Sequence, residues 1–89
     1  MNEEAKEQKP IAKVTHFFNK INVAVIAVTD DEIKVGDAII FRGHDNEFTQ
    51  TVDSLQVEHQ NVDALKKGEE GGLKVATPVK VGDLVYRPE

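Results

Sequence analysis

The run Val23-Ala24-Val25-Ile26-Ala27-Val28 constrains this chain more than any other feature: six consecutive apolar residues, bounded by Asn22 on one side and Thr29-Asp30-Asp31 on the other. Six residues fall far short of the ~20 that a membrane-spanning helix needs. Valine and isoleucine are stiff at χ1 and suit a pleated surface better than a helix. A strand that is apolar on both faces needs cover on both, so this run is expected to be the central strand of a sheet. The bias holds along the whole chain, with 12 valines and 6 isoleucines against 4 leucines. Eighty-nine residues are about 0.6 of the roughly 150 taken by one domain. Folding at this size hides roughly 60–65% of the extended surface, which gives one thin core, no deep substrate cavity and no room for a nucleotide-hydrolysing domain.

Short segments rich in Val, Ile, Thr and Phe alternate with clusters of Gly, Asp, Asn and Pro, the pattern of closely spaced antiparallel strands. Strands are expected near residues 11–18, 23–28, 38–42, 48–58, 73–76 and 84–87. Gly43-His44-Asp45-Asn46 tolerates positive φ, so the segments around it should pair as a hairpin. Phe48 and Val52 share one parity, Leu55 and Val57 the other, so a bulge near Asp53-Ser54 is expected to restore the register and bend the strand. Asn61, then residues 62–67, then Gly68 read as one capped helical turn, with Leu65 plugging an end of the core. Lys34-Val35-Gly36-Asp37 and Lys80-Val81-Gly82-Asp83 each set a glycine able to take positive φ and an aspartate able to bond nearby N–H groups before an apolar strand. Residues 1–10 are polar, end in proline and read as a disordered lead-in. Val25, Ile40, Val52, Leu55 and Leu73 are expected to be buried and Lys34 and Lys80 exposed; truncating a buried Val25 to alanine would cost about 2–3 kcal/mol.

No cysteine is present, which excludes disulfides, thiolate metal sites and a cysteine nucleophile. Residues 1–10 hold neither a secretory signal nor an apolar anchor, so a cytoplasmic protein is expected. The net charge is −5, and −4 on residues 11–89, which repels phosphate on average. His16, His44 and His59 lack metal-binding spacing and read as surface or core-edge residues. Asp37 and Asp83 belong to their turns, Ser54 sits in no nucleophile elbow, and the glycines at 68–72 precede a strand, where no helix dipole makes a phosphate cradle. No catalytic residue, metal site or cofactor is therefore expected. A basic strip from Lys13, Lys20, Lys66, Lys67 and Lys74, with Phe17 as a stacking ring, is the candidate partner-binding surface. Phe17 and Phe18, being adjacent, point to opposite faces.

The two Lys-Val-Gly-Asp segments, with residues 48–56 and the Gly-x-x-x-Gly run from Gly68 to Gly72, resemble the second domain of translation GTPases such as elongation factor Tu. Glu58-His59-Gln60-Asn61-Val62 and residues 81–86 add a likeness to small translation elongation factor-like proteins. The barrel is also similar to the accessory C-terminal domain of collagenase-like peptidases. The resemblance implies an all-β, closed six-stranded Greek-key barrel over residues 11–89. It implies a non-catalytic binding module whose partner is the ribosome, RNA or a translation protein, or alternatively a peptidase served in trans. Nucleotide is not an expected partner, since no G-x-x-x-x-G-K-[ST] loop is present, nor is a membrane, since no apolar run of ~20 residues occurs.

Overall fold

The computed structural model describes residues 9–44 and 46–88. Residues 1–8 of the expected lead-in lie outside them, as does Asp45 of the expected hairpin connection. Ten strands follow in order: β1 Ala12–Phe18, β2 Val23–Val28, β3 Ile33–Lys34, β4 Ala38–Arg42, β5 Glu47–Thr51, β6 Leu55–Val57, β7 Gln60–Val62, β8 Ala64–Leu65, β9 Glu70–Lys74 and β10 Leu84–Tyr86. Eight form one sheet ordered β5-β4-β10-β1-β2-β9-β6-β7, while β3 pairs with β8. β2 is interior, as expected, and β4 and β5 form the expected hairpin, with Ile40 opposite Thr49 and Phe41 opposite Phe48.

The sheet does not close, which corrects the expected six-stranded barrel. β5 and β6 are joined only by residues 52–54, a reach of about 14 Å. They nevertheless occupy the first and seventh places in the order, and in a flat sheet six strand spacings would put them about 29 Å apart. The sheet must therefore roll up until its ends approach, although no ladder joins them. At the seam a side chain replaces the ladder: the Gln50 amide donates to the Lys74 carbonyl at 2.8 Å, and its oxygen accepts from the Ala76 N–H at 2.9 Å. Val52 donates to the Asp37 carbonyl and accepts from the Gly36 N–H, both at 2.8 Å. The expected single bulged strand at 48–58 is thus two strands with different neighbours, and Val52 and Leu55 both stay buried. The one irregularity in the β1–β2 ladder falls between Val14 and His16.

Residues 61–67 form no helical turn. Asn61 pairs with Gln56 across the β6–β7 hairpin and accepts a bond from its amide at 3.1 Å. Ala64 and Leu65 pair with Lys34 and Ile33, and both Ile33 and Leu65 are fully buried. Cross-strand burial overrides the local helical pattern. Gly68, at φ 90°, serves a β-turn: the Glu69 N–H donates to the Lys66 carbonyl at 2.9 Å, and the Glu69 carboxylate accepts from the Lys66 N–H at 2.8 Å. The two Lys-Val-Gly-Asp segments have the same geometry. Asp37 and Asp83 accept from the N–H of Lys34 and Lys80 at 2.9 and 3.0 Å, with Gly36 and Gly82 at φ 98° and 99°. A Lys-x-Gly-acid pattern thus builds one turn three times, each time before a strand of the large sheet.

The core forms on the concave side from Ala12, Val14, Ala24, Ile26, Val28, Ile39, Phe41, Val52, Leu55, Leu73 and Val85. Leu55, Leu73 and Val52 are buried and Lys34 and Lys80 exposed, as expected, but Val25 and Ile40 are only half-buried. Alternate residues of a strand face opposite ways, and these two have the parity of the outer face. Because β2 is apolar throughout, its parity is set by the registers with β1 and β9, which the run itself does not encode. Val25→Ala is accordingly expected to lower the unfolding free energy by less than about 1 kcal/mol. Urea denaturation checks this, and a loss of about 2 kcal/mol or more would place Val25 back inside.

Candidate functional site

The outer face of β1, β2, β9 and β6 offers one shaped surface among the described residues. The ladder registers lay its residues in rows: Phe18, Val23 and Lys74; then His16, Val25, Gly72 and Gln56; then Lys13, Ala27 and Glu70. Gly72 brings no side chain to the middle row, which leaves a groove of about 350 Å³ bordered by His16, Phe18, Val25, Gln56, Glu58 and Glu70. An added Cβ at Gly72 would meet Val23 at 3.2 Å, so even alanine would begin to fill the floor.

Three local devices shape this groove. Thr15, at the irregularity in β1, has its hydroxyl 3.3 Å from the Val25 carbonyl and donates to the Glu70 carboxylate at 2.6 Å, fixing that acid at one end. The His16 and Phe18 rings lie with centroids 4.8 Å apart, tilted by 43°, and form a wall. Glu58 and His59 make the two-residue turn between β6 and β7 with φ of 52° and 68°. Side chains there suffer the left-handed penalty of roughly 1–2 kcal/mol per residue that glycine escapes, and this turn puts Glu58 on the rim of the groove that Glu70 also borders.

The expected partner-binding residues fall into two groups. Lys20, in the β1–β2 connection, and Lys74 belong to the Val23 end of β2. Lys13 lies opposite Ala27, about 13 Å further along β2. Lys66 and Lys67 lie in the turn whose Gly68 N–H donates to the Val28 carbonyl, at that same far end. The groove separates Lys20 and Lys74 from the far group, and Glu70 lies in the same row as Lys13. Phe17 is turned inward and packs on the core, while Phe18 is 46% exposed and is the ring offered to solvent. His16, His44 and His59 sit on β1, the β4–β5 connection and the β6–β7 turn, and no cluster of three metal-ligating side chains occurs among the described residues. Thr15, Gln56, Glu58 and Glu70 were not singled out from sequence as one surface. The adjacent glycines 71 and 72, both inside β9, are the signal that could have found it, since neighbouring glycines inside a strand mark close backbone approach.

The opposite end of the sheet carries Arg42, which bonds Glu47 at 3.1 Å and lies 4.5 Å over the Tyr86 ring. The Glu47 hydrogen bond holds its pKa above the ordinary arginine value, so this cation is already partnered. Arg87 bonds Asp31, Asp37 and the Glu32 carbonyl and ties β10 to the β2–β3 connection and the first Lys-Val-Gly-Asp turn. No described helix is long and apolar enough to cross a membrane.

No family model matches the chain. Among curated proteins it is 38% identical over 77 residues to an uncharacterized protease of Methanocaldococcus jannaschii, a match that covers 85% of this chain and 19% of that protein. The chain thus spans about a fifth of the length of the curated relative it matches. Among solved structures it is similar to the C-terminal domain of a U32 peptidase from Geobacillus thermoleovorans, with a TM-score of 0.83 at 18% identity over 90% of this chain and all of that one. A second structure of that domain gives the same score over 92% and 93% of the two chains. At this identity the likeness is one of fold. These matches correct the assignment to elongation factor Tu domain two and to elongation factor-like proteins, and they lend no support to translation partners. The Lys-x-Gly-acid turns that carried the resemblance report how a chain enters a strand, which is backbone geometry and does not specify a partner.

Proposed function

We propose that the chain is a non-catalytic β-sheet module that works beside the catalytic region of a U32-type peptidase. The observation that carries this reading is the 38% identity to one-fifth of a protease, where four-fifths of that protein remain to supply the chemistry. The fold likeness to a domain placed at the C-terminus of a U32 peptidase supports it, as does the outer surface, whose groove offers apolar and acidic side chains. The module contributes binding surface, and the partner contributes the reacting groups. Size-exclusion chromatography of the full chain mixed with the catalytic region of the U32 peptidase from the same cells tests it. Co-elution at micromolar concentration is expected; separate elution of the two at about 100 μM, which corresponds to binding weaker than about −5.5 kcal/mol, would overturn the assignment.

A further inference from the structure

We propose that the groove on the outer face of β1, β2, β9 and β6 is a docking site for an extended polypeptide segment bearing a bulky aliphatic residue and, two positions later, an arginine. This inference goes beyond the peptidase reading and stands on the geometry of the face, whichever polypeptide supplies the segment. The middle of the groove is apolar, with half-buried Val25, the exposed ring of Phe18 and the bare backbone of Gly72. Its end is acidic. Glu70 is opposite Ala27, two residues along β2 from the Val25–Gly72 row, or about 6.6 Å. Residues i and i+2 of an extended segment have the same separation and face the same way. An aliphatic side chain laid on Val25 and Gly72 therefore brings the next same-facing side chain to Glu70.

Charge complementarity selects that second side chain. Glu58 and Glu70 both border the groove, and neither pairs with a lysine or arginine among the described residues. Thr15 bonds one oxygen of Glu70 and fixes the carboxylate without neutralising it. A guanidinium presents several donors in a planar fork and can bridge two carboxylates, which an ammonium does less well. A phosphate backbone would be repelled by the same pair. The exposed Gln56 side chain beside Gly72 gives the segment's backbone an amide to bond.

The test is a titration of the ¹⁵N-labelled full chain with acetyl-Gly-Leu-Gly-Arg-Gly-amide, followed by amide chemical shifts. Shifts at Val25, Gln56, Glu70 and Gly72 are expected. The peptide with glutamate in place of arginine should bind at least about tenfold more weakly, the effect of one charge-assisted contact. The double variant Glu58→Gln with Glu70→Gln removes two exposed charges, keeps an acceptor for Thr15, and should abolish that preference while its melting temperature stays unchanged. Equal affinity for the two peptides, shifts confined to other faces, or no shift at millimolar peptide would overturn the proposal. So would shifts at these four amides that grow with protein concentration alone, because the face would then be occupied by a second copy of the chain.

Discussion

Phe41→Ala is expected to lower the unfolding free energy by about 3–5 kcal/mol, the range for deleting a buried aromatic ring. Phe41 is 1% exposed and lies on β4 between Val85 of β10 and Phe48 of β5, with its ring stacked on Phe48 at 5.1 Å and 13°. Truncation removes both the burial and the stacking, and the rolled sheet cannot collapse into the void without moving β4 and β10 together. Against a stability of roughly 4–13 kcal/mol for a domain of this size, the loss removes much of the margin. Urea denaturation followed by tyrosine fluorescence from Tyr86 measures it. A change under about 1 kcal/mol would show that the concave side of this sheet is not the core.

Gly71→Val should be nearly as damaging, for the opposite reason. A Cβ at Gly71 would sit 2.8 Å from Leu65 Cδ2 and 2.9 Å from the Gln56 carbonyl oxygen. The leucine methyl can rotate aside, but the carbonyl belongs to the neighbouring strand β6. Valine at this position forces β6 and β9 apart, and overpacking of this kind costs about 3 kcal/mol, or a fall of about 12–24 °C in Tm for a chain this short. Gly72→Ala is the control: its Cβ meets only Val23 at 3.2 Å and the Ala24 carbonyl at 3.8 Å, so a fall of a few degrees is expected. Equal melting temperatures for the two variants would contradict the register of β9, which turns residue 71 inward and residue 72 outward.

These two glycines show where the sequence was legible and where it was not. The Lys-Val-Gly-Asp turns were readable because glycine and aspartate act within four residues, and both turns have the geometry their composition demands. The pairing of β4 with β5 followed from the residues between them. Burial on β2 and β4 was not readable: in the two runs Val23–Val28 and Ala38–Arg42 apolar residues occupy both parities, so the choice of face rests on partners far away in sequence. The segment Lys66-Lys67-Gly68-Glu69 is ambiguous from sequence because glycine serves equally as a helical C′ residue and as the third residue of a β-turn. Closure failed as an expectation because residues 52–54 release the chain from one edge of the sheet and return it near the other, leaving a seam that Gln50 bridges by side chain. None of the groove follows from the expected strands, which put glycines 71 and 72 before a strand, whereas both lie inside β9. Thr15 and Glu70 meet at an irregularity in β1, and Glu58 borders the same groove from a turn that adopts positive φ without glycine or asparagine, neither of which composition reveals.

The fold likeness and the partial identity to a protease lead to one central claim, that this sheet is a binding module for a peptidase. Hydrogen exchange of the full chain, alone and mixed with the catalytic region of a U32 peptidase from the same cells, tests it most directly. Slower exchange over one contiguous stretch of the surface, with the core strands unchanged, is the predicted result; exchange identical at every amide, in a mixture as concentrated as that used for chromatography, would contradict it.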